Sequence, residues 1–148
     1  MKYAFGIDPG LKTGVALYNR TSKKFDLITT TNFWDAYKTV SLVHSNCVTA
    51  GDELFFFVED PNMVSHNWHL RPGQSARVSS KIGENVGKNK SHAALWIDLV
   101  KNSLHCECRT TAHSAGKRIP VEQFRRLTGW AGELDEHSKD AAALVWGI

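Results

Sequence analysis

Short apolar runs broken by turn residues open this chain, and longer helical periods follow. Lys2–Asp8, Thr13–Asn19 and Lys24–Thr30 are rich in β-branched and aromatic residues, which predicts three strands. Asp8-Pro9-Gly10 and Asn19-Arg20-Thr21-Ser22 supply the turns, so the three form an antiparallel meander. Asn32 is placed to cap a helix over roughly Phe33–His44, with Trp34, Tyr37, Val40 and Val43 at helical spacing. Glu53–Val58 is a near-continuous apolar run, the pattern of a strand buried on both faces. A helical crossover precedes it, which places it parallel to the first strand and beside it.

Residues 60–80 contain Pro61, Pro72 and Gly73 and no clear period, so a long loop is expected there. A helical pattern returns and is strongest over Ala93–Leu104. Gly83 and Gly87 weaken its first turns or allow a close approach. His105–Thr111 reads as another strand. Pro120 starts a short helix, Val121–Leu127, and a last helix runs from about Glu136 to Trp146. Trp34, Trp96 and Trp146 are expected in the core, and Trp130 against a loop. The chain shows no internal repeat and no low-complexity tract.

Composition narrows the class. A chain of 148 residues suits a single domain with a real core, and 42% apolar with 22% charged residues is ordinary for a soluble globular protein. The net charge of +3 is unevenly spread. Residues 1–60 hold 6 Lys and Arg against 7 Asp and Glu, whereas residues 61–118 hold 9 against 3. That basic middle segment suits an anionic partner, or is simply a solvated surface. Three cysteines, Cys47, Cys106 and Cys108, point to buried free thiols in a reducing compartment, with too few ligands together for zinc. Asp8 interrupts the opening apolar run too early for a secretory segment, and no run reaches transmembrane length. A cytoplasmic protein is expected.

Three acidic features carry candidate chemistry. Asp8 ends the first strand, and Glu59 ends the strand expected beside it. The C-terminal ends of parallel neighbours lie together, which brings the two carboxylates close. His137 and Asp140 are three apart on a helix and share a face. Docked over the strand ends, that face gives three carboxylates and an imidazole around one point. Without a cation such a group repels itself, and hard oxygen ligands favour Mg²⁺ or Mn²⁺. Two such ions about 4 Å apart can activate a water and stabilise a leaving oxygen in phosphodiester cleavage.

These motifs resemble a family. Gly6-Ile7-Asp8-Pro9-Gly10 with Thr13-Gly14, then Val58-Glu59, then His137-x-x-Asp140-Ala141-Ala142-Ala143-Leu144 are similar to the RuvC-type Holliday junction resolvases, most of all to compact phage-borne members. The order and approximate spacing match along nearly the whole chain. The resemblance implies an α/β, RNase H-like domain over residues 1–148. Its sheet is mixed and five-stranded, a meander of three antiparallel strands plus two parallel ones, flanked by helices. It also implies Asp8, Glu59, His137 and Asp140 as metal ligands, the seat of two Mg²⁺ ions for which Mn²⁺ substitutes. Thr111–Lys117 is similar to the segment that places a lysine near the scissile phosphate, so Lys117 would stabilise transition-state charge. Where longer family members carry a second lysine, this chain offers Arg118, Arg125 or Arg126. Family resolvases use an aromatic residue just after the second acid to prop open the junction. Here that stretch reads Asp60-Pro61-Asn62-Met63, with Trp68 further along the loop as a base-stacking candidate. Arg71, Arg77, Lys81, Lys88 and Lys90 become candidate phosphate contacts, alongside Arg118.

Each motif also has a plainer account. Asp8 can be a turn former, Glu59-Asp60 a solvated strand end, and Asp140 a residue favoured by the helix dipole. Those three accounts are independent of one another, whereas one metal site explains all three positions. The leading expectation is a metal-dependent endonuclease for branched DNA, acting as a homodimer because a four-way junction needs paired cuts. A less selective nuclease for flaps, forks, single strands or RNA is the alternative, favoured by the missing aromatic. A non-catalytic binding module and a sugar-kinase-like nucleotide site rank lower; the second needs two lobes, which 148 residues without a repeat do not supply.

Overall fold

The computed structural model describes residues 1–63, 72–112 and 118–148. Five strands form one sheet in the order β3-β2-β1-β4-β5. β1 (Lys2–Asp8), β2 (Thr13–Asn19) and β3 (Lys24–Thr31) are the antiparallel meander. β4 (Glu53–Glu59) lies parallel to β1, and β5 (Cys108–Thr111) parallel to β4. This is the mixed, RNase H-like sheet that the sequence predicts.

The two sheet faces carry different helices. Phe5, Ile7, Val15, Leu17, Phe56 and Val58 point to one face, where α1 (Phe33–Ala50) contributes Ala36 and Val40, and α2 (Ala76–Asp98) contributes Trp96. The alternate positions Ala4, Ala16, Tyr18 and Ile28 point to the other face. There they meet α3 (Val121–Thr128) through Phe124, and α4 (Glu136–Ala143) through Ala141 and Ala142. Strand alternation thus sorts one set of side chains beneath each layer.

Local chemistry sets the helix ends. Asn32 caps α1 by accepting from the Asp35 N–H, and Gly51 closes it with φ 70°. Ser75 caps α2 by accepting from the Val78 N–H, so the helix begins inside the stretch expected as loop. A π turn at Leu99–Ser103 ends α2, and His105 turns the chain at φ 53°. β5 therefore starts at Cys108 instead of His105. The final helix stops at Ala143, short of the expected Trp146.

Trp34 is a correction. It is 67% exposed, not core, while Trp96 is fully buried. A strict three-residue spacing drifts back about 60° per step on a helix. Trp34, Tyr37, Val40 and Val43 therefore spiral off one face, and Ala36, Val40 and Cys47 form the buried one. Trp146 is also 37% exposed, although its ring packs edge-on to Phe124 at 5.5 Å. Trp130 donates its indole N–H to the Glu133 carbonyl at 3.1 Å and packs a loop, as expected.

Candidate active site

Register decides where the acids point. Ile7 pairs with Val58 across β1 and β4, and both face the α1–α2 core. The next residues, Asp8 and Glu59, therefore turn to the opposite face, beneath α4. Both are nearly buried, at 9% and 4% exposure. Gly14 pairs with Asp8 on the other side.

Two glycines let α4 lie directly on this face. A Cβ at Gly14 would stand 2.1 Å from the His137 carbonyl oxygen, and one at Gly6 would stand 2.0 Å from that of Ala141. Only a residue without a side chain admits the helix backbone at that distance. The close seat brings His137 Nδ1 to 3.1 Å from Asp8 Oδ2. Asp140, one turn along, lies on the same helix with a side chain 13% exposed.

The start of α4 is fixed by a reciprocal cap. Asp135 Oδ1 accepts from the Ser138 N–H at 2.9 Å, and Ser138 Oγ accepts from the Asp135 N–H at 3.0 Å. Thr30 of β3 donates to the same Asp135 oxygen at 2.6 Å, which ties the helix entry to the sheet. Burial of Asp135 opposes ionisation, but its bonds from Ser138 and Thr30 outweigh this and hold its pKa below the usual carboxylate range.

Charge around the acids is balanced from within. The bond to Asp8 raises the His137 pKa, against an opposing effect of burial; the charges of Asp8, Asp135 and Asp140 add to the rise. Lys139 is almost wholly buried, with a side chain 1% exposed. Its ammonium pairs with Glu136 and stands 3.3 Å from Asp140 Oδ1. Burial works against that charge, but Glu136 and Asp140 together keep its pKa above the ordinary lysine value.

The donor chemistry of Asp8, Glu59, His137 and Asp140 fits a hard divalent cation. As the side chains lie, no three His, Cys, Asp or Glu among the described residues form a group that could hold an ion. Asp8 engages His137, and Asp140 engages Lys139.

The second wall of the site comes from α2. Asp60 Oδ1 accepts from the backbone and side-chain amides of Asn62 at 2.9 and 2.8 Å, shaping a 3₁₀ turn over Pro61–Met63. Asn62 also donates to the Lys90 carbonyl at 3.1 Å. A Cβ at Gly10 would meet Asn89 Oδ1 at 3.4 Å, so the β1–β2 turn also lies against α2. Arg77, Lys81, Lys88 and Lys90 all belong to this helix. Lys81 and Lys88 both pair with Glu84 at the surface, a weak arrangement that leaves their charge available to a polyanion. Arg118 is exposed. Trp68, Arg71 and Lys117 lie outside the described residues.

Comparison with known proteins agrees with the architecture. RuvC from T. thermophilus, solved in complex with a Holliday junction substrate, superposes with a TM-score of 0.51. The match covers 99% of this chain and 91% of that one, at 15% sequence identity. The fold is RuvC-like. No family model matches the chain, and no curated protein matches it by sequence.

The close seat of α4 had a signal in the sequence, whereas other features of the site had none. An isolated glycine within a strand marks a close backbone approach, and Gly6 and Gly14 are such residues. Lys139 is one charge among several in Glu136-His137-Ser138-Lys139-Asp140, a run that does not reveal its burial. Nothing in the spacing of Asn62 and Lys90 foretells their contact.

Proposed function

We propose that this protein is a metal-dependent endonuclease that cleaves branched DNA. The observation that carries this reading is the shared sheet face. Asp8 and Glu59 lie at adjacent strand ends, and α4 brings His137 and Asp140 over the same face. The RuvC-like fold supports it, because the structural neighbour was solved with a Holliday junction. Asp8, Glu59, Asp140 and His137 would hold Mg²⁺, with Mn²⁺ able to substitute, and two ions per site suit the donor set. When bound, the metal supplies an activated water and stabilises the leaving oxygen. The chain's own part is to fix the carboxylates on rigid strand and helix ends and to shield them from bulk water.

Asn89 and Lys90 set the middle of α2 against the turns that follow Asp8 and Glu59, and the basic residues of this helix would contact phosphates. Lys117 is the candidate for stabilising transition-state charge, and Trp68 for stacking on a base. Two matched incisions require two copies, and α2 offers the surface: of its residues only Ala93 and Trp96 are buried. The cytoplasm of a bacterium or an infected cell is the setting we assign.

One observation favours a broader nuclease. The turn directly after Glu59 presents Met63, 57% exposed, and no aromatic ring among Pro61–Met63 to wedge a junction. A single assay addresses both readings. Junction, flap, fork, single-stranded and duplex substrates are incubated with Mg²⁺, Mn²⁺ or chelator. Metal-dependent cuts confined to the junction support a resolvase. Equal rates on duplex and junction favour the broader nuclease, and no cleavage in any metal rejects both.

A further inference from the structure

Among the described residues, Lys139 is the buried cation that the site as drawn so far leaves without a role. Its neighbours Ala141 and Ala142 fill the sheet contact with small apolar side chains, so packing does not call for an ammonium. A fully buried lysine is strongly unfavourable unless paired. Two partners are near it, and they differ in kind. Glu136 sits one turn back, in the favourable order for a helix pair, but its side chain is 69% exposed and well screened. Asp140 is 13% exposed, so its attraction to Lys139 at 3.3 Å is screened far less.

The second contact is also unusual in geometry. Adjacent helix residues project about 100° apart and do not ordinarily meet. Lys139 must fold round the helix to reach the carboxylate of the next residue. That carboxylate is one of the four groups assigned to the metal.

We propose that Lys139 is a positioning residue that gives Asp140 an internal counter-cation, holding its carboxylate in the site before a metal ion arrives and weakening the ion's hold afterwards. The inference rests on the metal-site reading above and adds a residue to it. Lys139 shares Asp140 with the incoming cation, and ammonium and ion repel one another. Affinity is thereby set below what the carboxylates alone would give. The same residue keeps the buried acids compatible with folding when no ion is bound.

The test uses the full chain and MnCl₂ alone, without DNA. Mn²⁺ affinity is read from the EPR signal of free Mn²⁺, and melting temperature is followed with and without the ion. Lys139→Met should bind Mn²⁺ about tenfold more tightly, the order expected for a unit charge a few ångströms from the ion in partly screened surroundings. It should melt lower in chelator and gain more from Mn²⁺ than wild type does. Lys139→Arg, which keeps the charge, should restore near-wild-type affinity. Glu136→Gln changes an exposed side chain and leaves the ammonium wholly to Asp140, so it should weaken Mn²⁺ binding several-fold, by the same Coulomb argument.

If Lys139→Met binds Mn²⁺ no more tightly than wild type, the proposal fails. If that variant does not fold, Glu136→Gln decides: unchanged affinity overturns the role, and weaker binding supports it. Wild type that binds Mn²⁺ and cuts DNA beside unaltered variants removes Lys139 alone. Wild type that neither binds Mn²⁺ nor cuts removes the nuclease reading together with this one.

Discussion

Nδ1 of His137 and Oδ2 of Asp8 sit 3.1 Å apart, joining the last helix to the end of the first strand across 129 positions of chain. The bond raises the His137 pKa against the effect of burial. A group whose folded pKa exceeds its unfolded value of about 6.5 contributes stability that is fully present below that pH. The contribution is lost as pH rises through the folded value. In chelator, wild type should therefore lose thermal stability above about pH 6.5 relative to His137→Gln. Almost half of the imidazole is exposed, so screening keeps the slope shallow. Melting curves of both proteins at matched pH measure it, and parallel profiles would show that the pair contributes nothing.

Asp8→Asn keeps the shape of the side chain and removes its charge. If Asp8 holds the metal, cleavage should fall by more than about a hundredfold, the upper end for loss of a group that merely supports a metal ligand. Junction binding in chelator should be unchanged or stronger, because one repulsion with phosphate disappears. Cleavage rates in Mg²⁺ and fluorescence anisotropy of labelled junction separate the two effects. A variant that cuts at the wild-type rate would remove Asp8 from the site.

The two tryptophans that differ most in burial among the described residues make a simpler comparison. Trp96 is fully buried and packs at 5.2 Å from Phe33, whereas Trp34 is 67% exposed. Trp96→Ala should lose about 3–5 kcal/mol, and Trp34→Ala about 0.5 kcal/mol or less. Urea denaturation midpoints read both. A large loss at Trp34 would mean that another surface covers it in solution.

The sheet was readable because its signals are local. Apolar runs, a Pro-Gly turn and one helical crossover decide the strand order, and alternation decides which side chains face α4. Asp8 and Glu59 follow from their places at the ends of two strands expected to run parallel side by side. The contact between Lys139 and Asp140 does not, because adjacent helix positions carry no rule that joins them. Trp34 misled for a related reason: spacing by three approximates helical periodicity over one turn and drifts off the face over three. The beginning of α2 was hidden by Gly83, Gly87 and a polar first half, which lower intrinsic helix preference although Ser75 supplies a cap.

Glycine offers a test in which one chemical change has two signs. At Gly14 an added methyl would sit 2.1 Å from the His137 carbonyl oxygen, a backbone atom that moves only if α4 moves. Gly14→Ala should lose about 1–3 kcal/mol or more, and cleavage with it, because His137 and Asp140 shift away from Asp8 and Glu59. At Gly87, within α2, nothing lies within 4 Å of the added methyl. Gly87→Ala should gain about 0.5–1 kcal/mol, chiefly by restricting the unfolded chain. Denaturant midpoints of the two variants, with wild type between them, are the expected order. Equal destabilisation would mean that α4 does not rest on the sheet at Gly14 in the way that brings His137 and Asp140 over the face of Asp8 and Glu59.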